Sequence, residues 1–312
     1  MNELQLIEKL TDGLPTNPSV VVGPGDDCAV LDIGILGKWQ LFKTDAIVEG
    51  IHFEPDADPE KIGHKALGRC LSDIAAMAGE PGSAVITIAL PKDFSAERIS
   101  KIYDGINSLA RQFDVAIVGG ETTTSTGGLM ISVAMCGTVA KGKAVLRNGA
   151  KVGDAIFVSG ELGGAIFRKH LEFHPRVCEA ALLASQFDLH SMIDLSDGLA
   201  GDLRQITRAS GCGAELFSTA IPISRTAKLA AREESSAKPA LLAALVDGED
   251  YELLFTAAPG DAVAIKDAWS KAFNDVKLSC IGKITAGPKV ILRTENGVRE
   301  LPNHGYVHFQ QS

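Results

Sequence analysis

Seven acidic residues of this 312-residue chain stand where chemistry, rather than solvation, would use them. Asp26 and Asp27 follow a Gly-Pro-Gly turn in GPGDDCAV, residues 23–30; Asp45 lies in KTDAIVEG, Asp73 in LSDIAAM, Glu121 in VGGETTT, and Asp194 and Asp197 in IDLSDGL. Some have a plain structural reading. Turns favour Gly, Pro and Asp for backbone reasons, and Asp197 reads equally well as a first-turn helix acid with Ser196 as N-cap. Asp73 resists such a reading. It falls late in a helical pattern, on or beside the apolar stripe, where the helix dipole disfavours an anion and an unpaired buried carboxylate is costly or becomes neutralised. Acids gathered in one place repel one another unless cations bind among them, and hard oxygen ligands suit Mg²⁺, which is usually shared with substrate phosphates. Phosphate-binding groups accompany them: the backbone amides of Gly119–Gly120, the hydroxyls of Thr122–Thr124, and Arg147. The combination points to metal-dependent phosphoryl chemistry with ATP.

Other motifs carry less. No G-x-x-x-x-G-K-[ST] phosphate loop occurs. VAIK at residues 263–266 matches the lysine strand of protein kinases but has no H-R-D or D-F-G after it, so it is a chance match. His170 and His174 have the i, i+4 spacing of zinc ligands on a helix, yet no H-E-x-x-H and no third ligand accompany them, and structural roles are expected.

The elements that must position these groups follow from periodicity. Residues 1–10 read as a short amphipathic helix, and Leu41–Phe42, Ala84–Leu90, Val115–Val118 and Leu129–Val139 as strands. One helical face carries Ile62, Ala66, Cys70, Ile74 and Ala78; another carries Ile99, Ile102, Ile106, Leu109 and Phe113. The polar segment RNGAKVGD, residues 147–154, marks a boundary between domains at 1–149 and 150–312. The length supports two domains, since single cores stop growing near about 250 residues. Beyond the boundary come a strand at Ala155–Val158, a helical region to residue 190, and a strand leading into a helix stopped by Gly211. A net charge of −9 argues against nucleic acid as a partner. No apolar run reaches the roughly 18 residues of a membrane span, and MNELQLIEKL lacks a secretory apolar core, so a soluble, cytoplasmic protein is expected. The six cysteines are spread singly and read as reduced core residues.

These residues, in this order, resemble the thiamine-monophosphate kinase family, within the superfamily of aminoimidazole ribonucleotide synthetase. The match runs through ELQLIEKL, GPGDDCAVL, TDAIVEGIHF, KALGRCLSDIAAMAGEP, GGETT, RNGAKVGD, HPR, IDLSDGLAGDL, GEDYELLF and GYVHF, of which TDAIVEGIHF, LSDIAAM and GEDYELLF are the specific ones. The resemblance implies an α+β, two-domain aminoimidazole ribonucleotide synthetase-like fold. Its N-terminal domain would share a β-barrel in a homodimer, and its C-terminal domain would be an αβ sandwich. It implies direct transfer of the ATP γ-phosphoryl group to thiamine monophosphate. Asp27, Thr44, Asp45, Asp73, Glu121, Asp194 and Asp197 fall on Mg²⁺ positions of the family. Tyr103, Gly120, Glu121, Arg147 and Ser196 fall on ATP positions, and His52, Glu249 and Tyr306 on positions that hold the thiamine phosphate. Asp197 and Arg147 are the catalytic candidates, while Asp26 serves the turn or supports the metal ligand beside it. Three departures stand out: GGET for the usual G-G-D-T, DGEDYEL for G-G-E-D-Y-E-L, and Lys43 where Ser commonly precedes the T-D pair. They keep two alternatives open, a protein that binds thiamine phosphates or ATP without turnover, and a kinase for another phosphate acceptor.

Overall fold

The structure, a computed structural model, describes residues 3–167, 169–233 and 238–301. The first half is built from α1 (Glu3–Thr11), β1 (Val20–Val22), β2 (Ala29–Leu31), β3 (Lys38–Val48), α2 (Pro59–Ala76), β4 (Glu80–Leu90), α3 (Ala96–Gln112), β5 (Ala116–Thr124) and β6 (Met130–Ala140). Its strands form a six-stranded sheet in the order β1-β2-β3-β6-β4-β5. β3 and β6 run antiparallel over eleven residue pairs, from Lys38 opposite Ala140 to Val48 opposite Met130. β4 and β5 are parallel, a pairing that the α3 crossover between them makes possible.

One face of this sheet presents Leu41, Ile47, Ile86, Ile88, Ile131, Val133 and Met135 to the core. α2 packs there and against α3. Asp58 caps α2 by accepting from the Glu60 amide, and Pro59 opens the first turn. The two helices touch backbone to backbone: a Cβ on Gly63 would lie 1.9 Å from the Ile102 carbonyl oxygen, and one on Gly105 1.9 Å from that of Glu60. The opposite face of the sheet leaves Phe42 and Val85 exposed, and Val118 on edge strand β5 is 65% exposed.

The second half contains β7 (Ala155–Ser159), α4 (Val177–Gln186), β8 (Leu189–Asp194), α5 (Leu199–Ser210), β9 (Gly213–Phe217), α6 (Arg225–Glu233), α7 (Ala240–Val246), β10 (Leu253–Ala257), α8 (Ala262–Ala272), β11 (Leu278–Thr285), β12 (Val290–Thr294) and β13 (Gly297–Glu300). Their seven-stranded sheet has the order β13-β12-β9-β11-β7-β10-β8. Alternation along the strands divides the core. Ile156, Val158, Ile193 and Leu254 join Leu199, Leu203 and Leu245 of α5 and α7, whereas Phe157, Met192 and Phe255 join Leu183, Ile265 and Trp269 of α4 and α8. That second cluster is continuous with the α2 core of the first half. The two halves therefore share packing along α2. Their connection, residues 141–154, is tied to both: Val145 donates to the Met77 carbonyl and Met192 donates to that of Leu146.

The structure corrects several local expectations. The short strand at Leu41–Phe42 is the middle of an eleven-residue strand that carries Thr44 and Asp45. The helix after IDLSDG begins at Leu199 behind Gly198, whose φ of 99° suits glycine, so Ser196 is not its N-cap and Asp197 lies outside its first turn. His170 sits in a 3₁₀ turn, Lys169–Leu171, and His174 in the loop beyond it, so no helix presents the two together. Cys178 and Cys280 are exposed, unlike the buried Cys28, Cys70 and Cys212. No helix among the described residues is long and apolar enough to cross a membrane.

Candidate functional site

Three of the acids meet at the junction of the halves. Asp27 comes from the loop between β1 and β2, Asp73 from the last turn of α2, and Asp194 from the end of β8. One carboxylate oxygen of each lies within 4.8 Å of the other two, the one such group among the described residues, and all three side chains are buried. Arg147 donates to Asp27 Oδ1 at 2.6 Å, Lys43 to Asp73 Oδ1 at 2.9 Å, and the Ser72 hydroxyl to Asp194 Oδ2 at 2.6 Å. Asp27 Oδ2 is buried and has no hydrogen-bond partner, and neither has Arg147 Nε. A buried carboxylate oxygen left open beside two further carboxylates fits a hard divalent cation such as Mg²⁺.

Around this group the outcome is mixed. Asp45 lies on the same face of β3, held by Arg69 Nε at 3.0 Å and by the Ala46 amide at 2.9 Å. Gly120 stands in the same lateral row, Asp45, Val133, Ile86 and Gly120, where a Cβ would come 1.9 Å from the Ile86 carbonyl oxygen. Thr44 and Glu121 belong to the other face. Thr44 shares a lateral row with Ala134 and Val85, and Glu121 one with Thr87, Ser132 and Ala46, so their side chains point away from the three-carboxylate group. Asp26 accepts from the Asp27 amide at 3.0 Å and the Arg147 amide at 3.1 Å, bracing both residues. The Asp197 amide donates to Asp202 Oδ2 at 3.1 Å. Tyr103 is half-buried on α3.

A second cluster holds the residues assigned to the acceptor. Lys65 of α2 is fully buried, and its ammonium reaches the His52 carbonyl at 2.7 Å, Glu249 Oε2 at 2.8 Å and His170 Nδ1 at 2.8 Å. Glu249 and Tyr251 both have positive φ, 56° and 50°. The GEDYEL segment is bonded to IDLSD, with the Glu249 amide donating to the Ser196 carbonyl at 2.7 Å and the Tyr251 amide to that of Leu195 at 2.8 Å. The strain is held in place by these bonds and by Tyr251 stacking on Phe173 at 3.9 Å. Asp247, the departure from a second glycine, has φ −70° and accepts from the Gly164 amide at 2.9 Å, so no glycine is needed there. Tyr306 lies outside the described residues.

The sequence reading missed Lys65 and Arg69. With Asp73 they recur every fourth residue, a charged stripe beside the apolar one on α2, and that spacing was the available signal.

Burial sets the proton occupancy of the metal-free site. It pushes Asp194 up to about 7, aided by Asp27, and Asp250 to about 7; it pushes Asp26 to about 6. Burial also holds Asp73 well above the usual carboxylate range, despite Lys43. Groups raised in the fold stabilise it fully below their unfolded pKa near 4 and lose that contribution as pH rises through the folded value. Glu249 and Glu252, held at about 2 against burial by their cationic partners, lose their contribution only below the usual Glu value, and Lys65, lowered by burial to about 8, acts only above that pH. His174, lowered by burial, works the other way in this range, but the raised carboxyls outnumber it, and in a chelator the melting temperature is expected to fall between about pH 5 and pH 7.5. Added Mg²⁺ should raise it more at the higher pH. Melting curves across this range check it; a rise with pH in chelator contradicts it.

Two family models match the chain: AIR synthase related protein, N-terminal domain, over residues 25–139, and AIR synthase related protein, C-terminal domain, over residues 151–295. Together they define a two-domain AIR synthase-like protein. The chain is 39% identical over 301 residues to the thiamine-monophosphate kinase of Rhodopirellula baltica, covering 93% of this chain and 92% of that one. It is 34% identical over 331 residues to that of Escherichia coli K12, covering 98% of each. A solved complex of AaThiL with AMPPCP and TMP superposes with a TM-score of 0.82 at 27% identity, over 99% of this chain and 97% of that one. The chain belongs to the thiamine-monophosphate kinase family.

Proposed function

We propose that this chain is a Mg²⁺-dependent kinase that transfers the γ-phosphoryl group of ATP to thiamine monophosphate, giving thiamine diphosphate and ADP. The observation that carries the reading is the buried Asp27, Asp73 and Asp194 group with its open Asp27 oxygen. The kinase names of the relatives and the AMPPCP and TMP bound to AaThiL support it. Asp27, Asp73 and Asp194 would hold Mg²⁺ with Asp45 and Asp197, and Thr44 and Glu121 would serve metal from the outer face of the sheet, apart from this group. Bound Mg²⁺ supplies neutralisation of phosphate charge and alignment for in-line transfer.

The protein's own contribution is positioning. Arg147, braced through its amide by Asp26 and through its guanidinium by Asp27, has a buried Nε with no protein partner, and a phosphate oxygen satisfies such a donor. Tyr103, Gly120, Glu121 and Ser196 complete the ATP site; Asp197 and Arg147 flank the transferring group. His52, Glu249 and Tyr306 hold the acceptor. We place the protein in the cytoplasm, a reading that its six free cysteines support, and pair it as a homodimer through the exposed outer face of the N-terminal sheet around Phe42, Val85 and β5.

The acceptor assignment is tested by substrate dependence. His52→Ala is expected to raise KM for thiamine monophosphate at least about tenfold with KM for ATP little changed. Equal changes in both would remove His52 from the acceptor site.

A further inference from the structure

Lys43 is the one departure from the family pattern that enters the carboxylate group itself. Its neighbours Phe42 and Thr44 face away, but the alternation of β3 sends Lys43 inward, in register with the buried Met135. There its ammonium lies 2.9 Å from Asp73 Oδ1, with the side chain three-quarters buried. Lys43 thus sets a tethered ammonium directly on one carboxylate of the group. Arg147 supplies a second cation, on Asp27. Three carboxylates so placed carry two tethered cations before any metal arrives, and one oxygen of Asp73 is already taken by a donor.

We propose that Lys43 is a built-in cation of this site, its ammonium standing where a divalent ion would otherwise sit, so that the chain binds fewer divalent ions than its carboxylates could hold. The inference deepens the metal-dependent reading above and rests on it, but its test counts ions without turnover. A failure of the kinase assignment and a failure of this one are therefore told apart. The ammonium cannot leave with product or be chelated, and it repels a second cation at hydrogen-bond range.

The test is Mn²⁺ binding to the full chain, followed by the electron paramagnetic resonance signal of free Mn²⁺, for wild type, Lys43→Ser, Lys43→Met and Lys43→Arg. Lys43→Met keeps most of the apolar stem should Lys43→Ser fold poorly. Removing the charge is expected to add one Mn²⁺ per chain or to tighten binding by about tenfold or more, and Lys43→Arg to retain the wild-type binding curve. Lys38→Ser, on the same strand but paired with Glu80 at the surface, controls for net charge and should change nothing. Equal stoichiometry and affinity in wild type and both neutral variants would overturn the proposal, as would weaker Mn²⁺ binding in them.

Discussion

Asp73→Asn is expected to lower phosphoryl transfer by about 10²–10³-fold, the scale of removing one preorganised electrostatic group, without unfolding the protein. Asparagine keeps the shape, and its carbonyl oxygen accepts from Lys43 as Asp73 Oδ1 does now. What disappears is the charge that metal binding needs. In the metal-free fold that charge is a burden, because burial holds the Asp73 carboxyl well above its usual range. The variant should consequently melt in chelator no lower than wild type, and Mg²⁺ should raise its melting temperature less. Turnover at saturating substrates, with melting curves in chelator and in Mg²⁺, checks both halves. Near-normal turnover would mean that Asp73 is not a metal ligand.

Lys65→Met is expected to cost about 3 kcal/mol of stability, the low end for breaking a buried ion pair, because Glu249 keeps one-fifth of its side chain exposed. The fully buried ammonium joins the His52 carbonyl of the first half to Glu249 of the second. Without it Glu249 is left with His170 and a long contact to Tyr251. Adding Glu249→Gln should restore most of the stability, since it removes the uncompensated charge, while leaving acceptor binding impaired. Denaturant unfolding of the single and double variants decides it. A single variant as stable as wild type would show that the pair contributes nothing.

Much of this architecture is legible in the residues. α2 follows its apolar stripe and its Asp-Pro start, and the outlying strands follow their apolar runs between Gly, Pro and Asp. The strand that matters most was legible only in part. KWQLFKTDAIV breaks apolar alternation because its inward positions include Lys43 and Asp45, the residues of the site, so chemistry masked the pattern. The acids were visible as types, but which of them meet was not. Thr44 and Glu121 fall with Asp45 on Mg²⁺ positions by the family resemblance, yet register turns them to the other face of the sheet. Likewise Ser196 has the chemistry of an N-cap, but the bonds from the GEDYEL segment engage its backbone and delay the helix to Leu199.

The central claim is the reaction itself. Phosphorus nuclear magnetic resonance of the full-length protein with ATP, MgCl₂ and thiamine monophosphate follows every phosphate at once. The account predicts loss of ATP matched by equal gains of ADP and of the diphosphate signals of thiamine diphosphate, with no inorganic phosphate and no reaction in chelator. ATP left intact in the presence of bound thiamine monophosphate, or ADP formed with only inorganic phosphate beside it, would contradict the account.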